Sequence, residues 1–410
     1  MKWIKRILLS LVVFVAVAYV GVCVWLRANE TRLIFGRRLP VVTPSTSLAL
    51  NQQRVEFADG AGIKFIAWII PSLLQDHSDI WLIHFHGSGA NISSDSAGYD
   101  DFRAMGFNII APEYPGYGDA PGEPSEAAVE SAAKAAYDYL RTKKNVPPKN
   151  IVIFGGSLGS AVAIDLASRV QAAALIEHAG FTSMVDMGNK QYPFLPIALL
   201  ARNKFESDKK IAQVKMPILI IHGREDEVIP YSQGERLYQL APEPKRFMEV
   251  RGPHGPAQAR AAQNPNFLNE IVTFLNTQAG FHVRAPMPSI APVVQTTLNA
   301  SGVEFALTQY HALRRENPVR YNFREVELND LGYYFLARNE FDKAIAVFQL
   351  NAEQFPQSFN VFDSLGDAFA AAGKNAEAIQ SYEKSLALFP DQANYSRGKL
   401  EQLQRKAGSS

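Results

Sequence analysis

From about residue 53 to residue 280, short runs of β-branched residues alternate with stretches in which apolar residues recur every three to four positions. This alternation is typical of βαβ units, in which helices connect parallel strands. We therefore expect an α/β domain with a mostly parallel sheet, opened by a hairpin around residues 59–62. The pattern predicts eight strands, at 54–58, 63–70, 80–85, 108–111, 151–154, 173–177, 217–221 and 246–250, and helices that include 125–141, 157–170 and 257–278.

Near the N-terminus, residues 7–26 form an uncharged apolar run. As a helix, this run would measure about 30 Å, the thickness of the hydrocarbon core of a membrane. Trp3 and Trp25 lie near its two ends, where interfacial aromatic residues are favoured. Lys2, Lys5 and Arg6 make the short preceding tail hard to translocate. The run predicts a single membrane anchor within residues 1–30, with the body extracytoplasmic, on the periplasmic side of the inner membrane if the source is a Gram-negative bacterium.

Two other interpretations of this run stay open. Residues 16–18, Ala-Val-Ala, are an acceptable cleavage site for a signal peptide, although the apolar run continues for eight residues beyond Ala18. Cys23 is a weaker candidate for lipidation, because Val22 stands where that signal requires a small residue. The four arginines that follow the run, Arg27, Arg32, Arg37 and Arg38, weaken a simple charge rule for the orientation.

Beyond residue 280 the pattern changes. Residues 281–297 contain three prolines and no helical period, which predicts a linker. Further along, Leu331-Gly332 recurs as Leu365-Gly366 with an offset of 34 residues, and further pairs recur with the same offset: Ala344-Ile345 with Ala378-Ile379, Phe348 with Tyr382, and Phe355-Pro356 with Phe389-Pro390. A half-copy around Ala306 and Tyr310 precedes them. This period resembles the tetratricopeptide repeat. The repeats are expected either to brace the preceding domain or to bind a protein partner, including a second copy of the chain.

Composition excludes several classes of protein. Hydrophobic residues make up 47% of the 410 residues and charged residues 20%, so that an intrinsically disordered chain is excluded. The 41 Lys and Arg residues balance 40 Asp and Glu residues, which argues against a nucleic-acid partner. The single cysteine excludes disulfide frameworks and cysteine-based zinc sites. We divide the chain into an anchor at 1–30, an α/β domain at 31–280, a linker at 281–297 and helical repeats at 298–410.

The sharpest local motif is Gly155-Gly156-Ser157-Leu158-Gly159. It follows the predicted strand 151–154 and opens the predicted helix 157–170, so that Ser157 lies at a strand-to-helix turn. A nucleophile at such a turn has a strained backbone, and flanking glycines are needed because a Cβ there would collide with the strand or the helix. Ser157 is therefore our candidate nucleophile. The alternative is a serine that only caps the helix.

A serine hydroxyl needs a base, and the base needs an orienting carboxylate. In this topology both follow in chain order, after later strands. Asp226 lies beyond the strand 217–221, and His254 is the histidine that follows the last strand. The neighbouring Glu225 and Glu227 are expected in solvent, and Glu177, at the end of another strand, is the alternative acid.

The tetrahedral oxyanion of acyl transfer needs backbone N–H donors. One donor is expected from Leu158, directly after the nucleophile, and the other from the loop after an early strand. That loop reads His86-Gly87-Ser88-Gly89-Ala90-Asn91, and Ser88 is our candidate for the second donor. The alternative is a plain glycine-rich turn. We expect no metal and no cofactor, because the histidines at strand ends, His84, His86, His178 and His222, form no zinc-binding motif with a carboxylate.

Together these residues resemble the α/β-hydrolase superfamily, and most of all its small membrane-anchored serine hydrolases. Their oxyanion loop HGNAGN corresponds to residues 86–91, their DYRGYG loop to residues 113–118, and their GxxDxxVP turn to residues 223–230. The resemblance implies the α/β-hydrolase fold with a small cap, with Ser157 as nucleophile, Asp226 as acid and His254 as base. The sequence differs from the pattern where Ser88 replaces Asn and where Glu113-Tyr114-Pro115 replaces Asp-Tyr-Arg, which leaves the substrate open.

We therefore expect a membrane-tethered serine hydrolase of the carboxylesterase or thioesterase type, acting on a small acyl ester or a lipid-like substrate. The connection between 177 and 217 is too short for a large lid. It carries apolar residues suited to an acyl-binding wall: Phe181, Met184, Met187, Tyr192, Pro193, Phe194, Leu195 and Leu199. Two alternatives are an adaptor built on the repeats, with an incidental hydrolase domain, and a serine peptidase.

Overall fold

A computed structural model describes residues 2–36, 52–59, 62–74, 79–93, 96–250, 254, 267–316, 320–388 and 393–407. Within these ranges the expected sheet is confirmed: eight strands pair side by side in one sheet. The strands are β1 (Gln53–Ala58), β2 (Lys64–Ile70), β3 (Trp81–Phe85), β4 (Asn108–Pro112), β5 (Ile151–Gly156), β6 (Ala174–His178), β7 (Ile218–Gly223) and β8 (Lys245–Val250).

The strand order is β1-β2-β4-β3-β5-β6-β7-β8. Strand β2 runs antiparallel to both of its neighbours, and all other neighbouring strands are parallel. The carboxyl ends of β3, β5, β6, β7 and β8 therefore meet at one edge of the sheet. Ligands bind at this edge in open α/β sheets, so the loops after these strands are where a site is expected.

Helices cover both faces of the sheet, because alternate residues of each buried strand point to opposite sides. Ile83 and Ile153 pack into one apolar cluster, whereas Leu82 and Val152 pack into another. The helices of this part of the chain are α1 (Lys2–Phe35), α2 (Ser96–Ala104), α3 (Glu126–Thr142), α4 (Leu158–Arg169), α5 (Met184–Gln191), α6 (Ile197–Leu200), α7 (Ser207–Ile211), α8 (Tyr231–Leu240) and α9 (Phe267–Gln278). Of the predicted helix 257–278, residues 257–266 lie outside the described ranges.

Helix α1 runs unbroken past residue 30, where we expected the anchor to end. It is long and apolar enough to cross a membrane, with a mean hydropathy of 2.9 in its most apolar window. Its last turns differ from a free anchor, because Phe35 is buried against the first apolar cluster and packs edge to face on Phe205 at 6.1 Å. The apolar Leu33, Ile34 and Phe35 thus join the helix to the sheet domain.

The remaining helices form a separate apolar cluster. They are α10 (Ala291–Glu316), kinked at Gly302, α11 (Glu325–Leu336), α12 (Phe341–Gln354), α13 (Phe359–Ala371), α14 (Asn375–Leu388) and α15 (Ala393–Ala407). The 34-residue offset reappears as a repeated contact. A Cβ on Gly332 would lie 2.4 Å from the Phe348 ring, and one on Gly366 would lie 2.5 Å from the Tyr382 ring. Glycine is thus required where each first helix meets the aromatic residue of its second helix.

The segment 281–297, which we expected to be a linker, differs from that expectation at both ends. Phe281 and Val283 are buried in the sheet domain, and Phe281 packs on Phe107 at 5.5 Å. Helix α10 begins at Ala291, whose N–H donates to Ser289 Oγ at 3.0 Å. The prolines misled the prediction, since proline is well tolerated in the first turn of a helix.

Candidate active site

Ser157 lies in the turn between β5 and α4, with φ 55° and ψ −123°. A non-glycine residue with positive φ is strained, and such strain is found at functional sites. The turn is held by the Ser157 N–H, which donates to His178 O at 2.9 Å. A Cβ on Gly155 would lie 2.0 Å from Gly159 O, and one on Gly159 would lie 2.2 Å from Phe85 O. Both glycines are therefore required by close approach of the backbone, as the sequence predicted.

The three residues predicted as a triad come together although they are far apart in the chain. His254 Nε2 lies 3.0 Å from Ser157 Oγ, and His254 Nδ1 lies 2.7 Å from Asp226 Oδ2. These distances are within hydrogen-bond range and form one continuous chain from hydroxyl to carboxylate. The arrangement allows the imidazole to accept a proton from the hydroxyl while the carboxylate fixes the orientation of the ring.

Asp226 is held in place by the turn after β7. Its Oδ1 accepts hydrogen bonds from the N–H groups of Val228 at 2.9 Å and Ile229 at 2.7 Å. Burial raises the pKa of this carboxyl, but the hydrogen bonds that it accepts, the one from His254 foremost, outweigh burial, so that the pKa lies below its ordinary value. The group therefore stays ionised at neutral pH, as an orienting acid must.

His222 also contacts the turn that carries Asp226. Its Nε2 donates to Ile229 O at 2.9 Å and lies 3.7 Å from Asp226 Oδ2. Burial lowers the pKa of this imidazole despite the nearby carboxylate. A neutral His222 thus stabilises the turn that carries Asp226.

The two predicted oxyanion donors, Leu158 and Ser88, line the same cavity as Ser157. Leu158 is the first residue of α4, where N–H groups have no partner within the helix. Ser88 lines the same cavity as Ser157, and the Cβ position of Gly87 is 3.3 Å from Ser157 Cβ, so that this loop passes close to the nucleophile. Tyr117 Oη donates to Ser88 O at 3.2 Å. A donor pair at the start of α4 and in the loop after β3 stays a prediction.

The loop 86–91, which is predicted to supply an oxyanion donor, contacts the loop 113–118. His86 Nε2 and Glu113 Oε1 lie 2.8 Å apart, and both side chains are buried. The Tyr114 hydroxyl donates to His86 O at 2.9 Å, and the Tyr114 ring packs on the His86 ring at 4.1 Å. The 86–91 and 113–118 loops thus stabilise each other, which explains why both motifs occur together.

A cavity of about 390 Å³ opens at Ser157. This volume is within the range of ligand-binding pockets, and the walls are mostly apolar. Four residues of the predicted acyl-binding wall line it, namely Phe181, Met184, Met187 and Tyr192. The other four predicted residues do not line it, namely Pro193, Phe194, Leu195 and Leu199, and of these Phe194 and Leu199 are 88% and 79% exposed.

One wall of the cavity was missed by the sequence reasoning. It is the C-terminal part of α1, from which Leu26, Arg27, Glu30, Leu33 and Ile34 line the cavity. The available signal was the spacing: Leu26, Leu33 and Ile34 recur at seven and eight residues, one face of a helix that continues past the membrane span. The predicted boundary at residue 30 divides this face, because it leaves Leu26 in the anchor and places Leu33 and Ile34 in the following domain.

The rival residues lie elsewhere. Glu177 is fully buried at the end of β6, and Asp226, not Glu177, bonds to His254 Nδ1. Glu225 and Glu227 are exposed, as predicted. Across the part of the chain that the structure describes, no three His, Cys, Asp or Glu side chains converge as a metal-binding group.

Comparison with known proteins gives matches to the same segment. A model of the alpha/beta hydrolase family matches residues 82–298. An uncharacterised protein of Mycobacterium tuberculosis is 32% identical over 244 residues, which cover 60% of this chain and 86% of that protein. Alpha/beta hydrolase domain-containing protein 17B of Homo sapiens is 33% identical over 176 residues, 42% of this chain and 58% of that protein. Among solved structures, the Pyrococcus furiosus esterase Pf2001 superimposes with a TM-score of 0.49 at 18% identity, over 60% of this chain and 100% of that chain.

Proposed function

The chain belongs to the alpha/beta hydrolase family, and on that premise we propose that it is a membrane-tethered serine hydrolase that cleaves carboxylic esters or thioesters. The observation that carries the proposal is the hydrogen-bonded chain from Ser157 Oγ through His254 to Asp226, at 3.0 and 2.7 Å. Ser157, at one end of these hydrogen bonds, lines a mostly apolar cavity, which suits the acyl group of the substrate.

In the first half of the reaction, His254 Nε2 accepts the proton of Ser157 Oγ as the oxygen attacks the carbonyl carbon. The carbonyl oxygen becomes an oxyanion and accepts hydrogen bonds from the N–H groups of Leu158 and Ser88. Collapse of this intermediate breaks the bond to the leaving oxygen or sulfur, which takes the proton from His254. The acyl group is then bonded to Ser157 Oγ.

In the second half, a water molecule loses its proton to His254 Nε2 and attacks the acyl carbon. The same two N–H groups stabilise the second oxyanion, and Ser157 Oγ leaves with the proton from His254. Asp226 stays ionised throughout, because its pKa is lowered by the hydrogen bonds that it accepts. It stabilises the imidazolium in both halves.

The cavity supports an acyl group rather than a charged side chain as the bound portion of the substrate. Its two charged lining residues are already engaged, since Arg27 Nη1 donates to Leu200 O at 3.1 Å and Glu30 pairs with Arg202 at 2.9 Å. Glu30 is thus paired with a cation, and apart from Arg27 the remaining lining residues carry no charge, so that the cavity suits an apolar group better than a charged peptide side chain. We therefore favour an esterase or thioesterase over a peptidase, and an enzyme over an adaptor with an incidental hydrolase domain.

We further propose that α1 tethers the enzyme to a membrane, with the body on the extracytoplasmic side. Hydropathy and length support the tether, and the basic tail before the span supports the orientation. The helical repeats are proposed to brace the hydrolase domain or to bind a protein partner. Arg324 Nη2 lies 3.1 Å from Asp101 Oδ1 of α2, which supports bracing.

Hydrolysis of p-nitrophenyl esters tests the enzymatic proposal. Ser157→Ala and His254→Ala are expected to lower kcat about 10⁴-fold or more, and Asp226→Asn by a similar factor. Ser160→Ala is the matched control, because it removes a buried hydroxyl three residues further along the same turn and helix. Wild-type rates in Ser157→Ala would contradict the proposal, as would a loss of activity in Ser160→Ala equal to that in Ser157→Ala.

A further inference from the structure

Helix α1 serves as a wall of the active-site cavity as well as a candidate membrane span. Leu26, Leu33 and Ile34 line the same cavity as Ser157. The helix is fixed there by Glu30, whose carboxylate accepts hydrogen bonds from the N–H groups of Arg202 at 2.7 Å and Asn203 at 2.9 Å. Helix α1 therefore extends without a break from the proposed membrane span to the cavity, where its apolar residues lie beside Arg27 and Glu30.

The cap segment Tyr192–Leu200 lies along α1 inside the span. Tyr19 Oη donates to Phe194 O at 3.0 Å, whereas Arg27 Nη1 donates to Leu200 O at 3.1 Å. Tyr19 precedes Leu26, the end of the apolar run, by seven residues, or about 10 Å of helix. The turn that carries Phe194 thus lies beside α1 about 10 Å inside the proposed span, measured from its C-terminal end at Leu26.

The outer surface of this cap segment is apolar. Phe194 is 88% exposed and Leu199 is 79% exposed, beside the exposed apolar face of α1. Large apolar side chains exposed together mark an interaction surface, and their position beside a membrane span identifies its partner as the bilayer.

The backbone of the segment also suits a lipid environment, where polar groups must be paired internally. Pro193 and Pro196 have no N–H group. The N–H of Leu195 donates to Tyr192 O at 3.0 Å, and those of Leu199 and Leu200 donate to Pro196 O at 2.9 and 3.2 Å. The carbonyl oxygens of Phe194 and Leu200 accept from side chains of α1.

We infer that the substrate is an ester of a membrane lipid, whose acyl chain passes sideways from the bilayer, between α1 and the segment Tyr192–Leu200, into the cavity at Ser157. This inference rests on the proposed hydrolase function and adds to it the substrate class and the route of entry. The cavity, at about 390 Å³, is near the small end of ligand pockets and is assigned one acyl chain. The lipid tail never crosses water, so the cost of exposing its methylene groups is avoided.

Two esters with the same leaving group test the inference. The full-length protein is reconstituted in phosphatidylcholine vesicles and assayed with 4-methylumbelliferyl palmitate embedded in the bilayer and with water-soluble 4-methylumbelliferyl acetate. The double variant Phe194→Asp/Leu199→Asp is expected to lose palmitate hydrolysis by about tenfold or more, because aspartate is costly in lipid. Acetate hydrolysis is expected to stay within about twofold, since both side chains are on the surface. The control variant Phe305→Asp, which changes an exposed phenylalanine of the repeats, is expected to leave both rates within about twofold.

The outcomes separate the inference from the proposed function. Hydrolysis of acetate that depends on Ser157, together with unchanged palmitate hydrolysis in the double variant, would overturn the inference and leave the proposed function intact. Failure of the wild type to hydrolyse either ester would overturn both.

If both rates fall together in the double variant, a fluorescent label at position 199 tests directly whether this position contacts lipid. The chain has one cysteine, so Leu199→Cys in a Cys23→Ser background accepts a single bimane label. Vesicle lipids with a nitroxide on the acyl chain are expected to quench bimane at position 199 and to leave it bright at Phe305→Cys. A label at position 199 that is not quenched would overturn the inference.

Discussion

Glu177 is the penultimate residue of β6 and pairs with Gly155 of β5, two residues before Ser157, and its side chain is fully buried. A Cβ on Gly180 would lie 2.3 Å from Glu177 Oε2 and 2.6 Å from Ser160 Oγ, so that the carboxyl group is closely packed. Burial raises the pKa of Glu177 to about 8, only partly offset by the N–H of Gly180. We therefore predict a neutral carboxylic acid at pH 7, which adds no negative charge next to the strand that carries the Ser157 turn.

The magnitude follows from the two pKa values of Glu177, about 8 in the folded chain and 4.5 as its ordinary value. Between these values the native protein binds a proton that the unfolded chain releases. The free energy of unfolding therefore falls as the pH rises, by about 1.4 kcal/mol per pH unit. This contribution is fully present below pH 4.5 and is lost as the pH rises through about 8. Glu177→Gln keeps the shape and removes the titration, so that its stability relative to wild type should rise by about 2.5 kcal/mol from pH 5.5 to pH 7.5.

The assay is urea unfolding in detergent micelles at several pH values, followed by tryptophan fluorescence. Trp3 and Trp25 of α1 are replaced by Phe in every variant, so that Trp68 and Trp81 report on the sheet domain. Glu56→Gln is the control, because hydrogen bonding to Arg54 lowers the pKa of Glu56. Glu56 is therefore ionised in the folded and in the unfolded chain between pH 5.5 and pH 7.5. Its difference from wild type should stay constant. A constant difference for Glu177→Gln as well would refute the reasoning from burial.

Three further predictions concern other parts of the molecule. Gly159→Ala should lower kcat/KM for p-nitrophenyl esters about 100-fold, because the new Cβ would lie 2.2 Å from a carbonyl oxygen of β3 and shift the nucleophile; activity near wild type would contradict this. Met187→Trp should lower the ratio of palmitate to acetate hydrolysis about tenfold by filling the cavity, and an unchanged ratio would exclude this wall. Arg324→Ala should speed tryptic cleavage after Arg284, since the contact with Asp101 is lost; equal cleavage rates would show that this contact does not brace the repeats.

The fold could be predicted from the sequence because its signals are local. Each strand is a short β-branched run, and the structure moves the predicted ends by only one or two residues, as where β5 continues to Gly156. The positions of Ser157, Asp226 and His254 followed from a topology that brings strand ends to one edge. Their catalytic roles stay predictions until they are tested.

The cavity could not be predicted in the same way, because it depends on contacts between distant segments. Glu30 and Arg202 are 172 residues apart, and their pairing is one of the contacts that hold α1 against the site. The apolar character of Phe194 suits a cavity wall and a lipid-facing surface equally well, so only the three-dimensional structure distinguishes the two. The same limit applied to the start of α10, where prolines suggested a linker.

The central claim is that Ser157 is an activated nucleophile. The most direct measurement is mass spectrometry of the full-length protein after incubation with a fluorophosphonate probe. We predict one covalent adduct on the peptide that contains Ser157, absent from Ser157→Ala and present in Ser160→Ala. Folded wild-type protein that forms no adduct, or an adduct that persists in Ser157→Ala, would contradict the account.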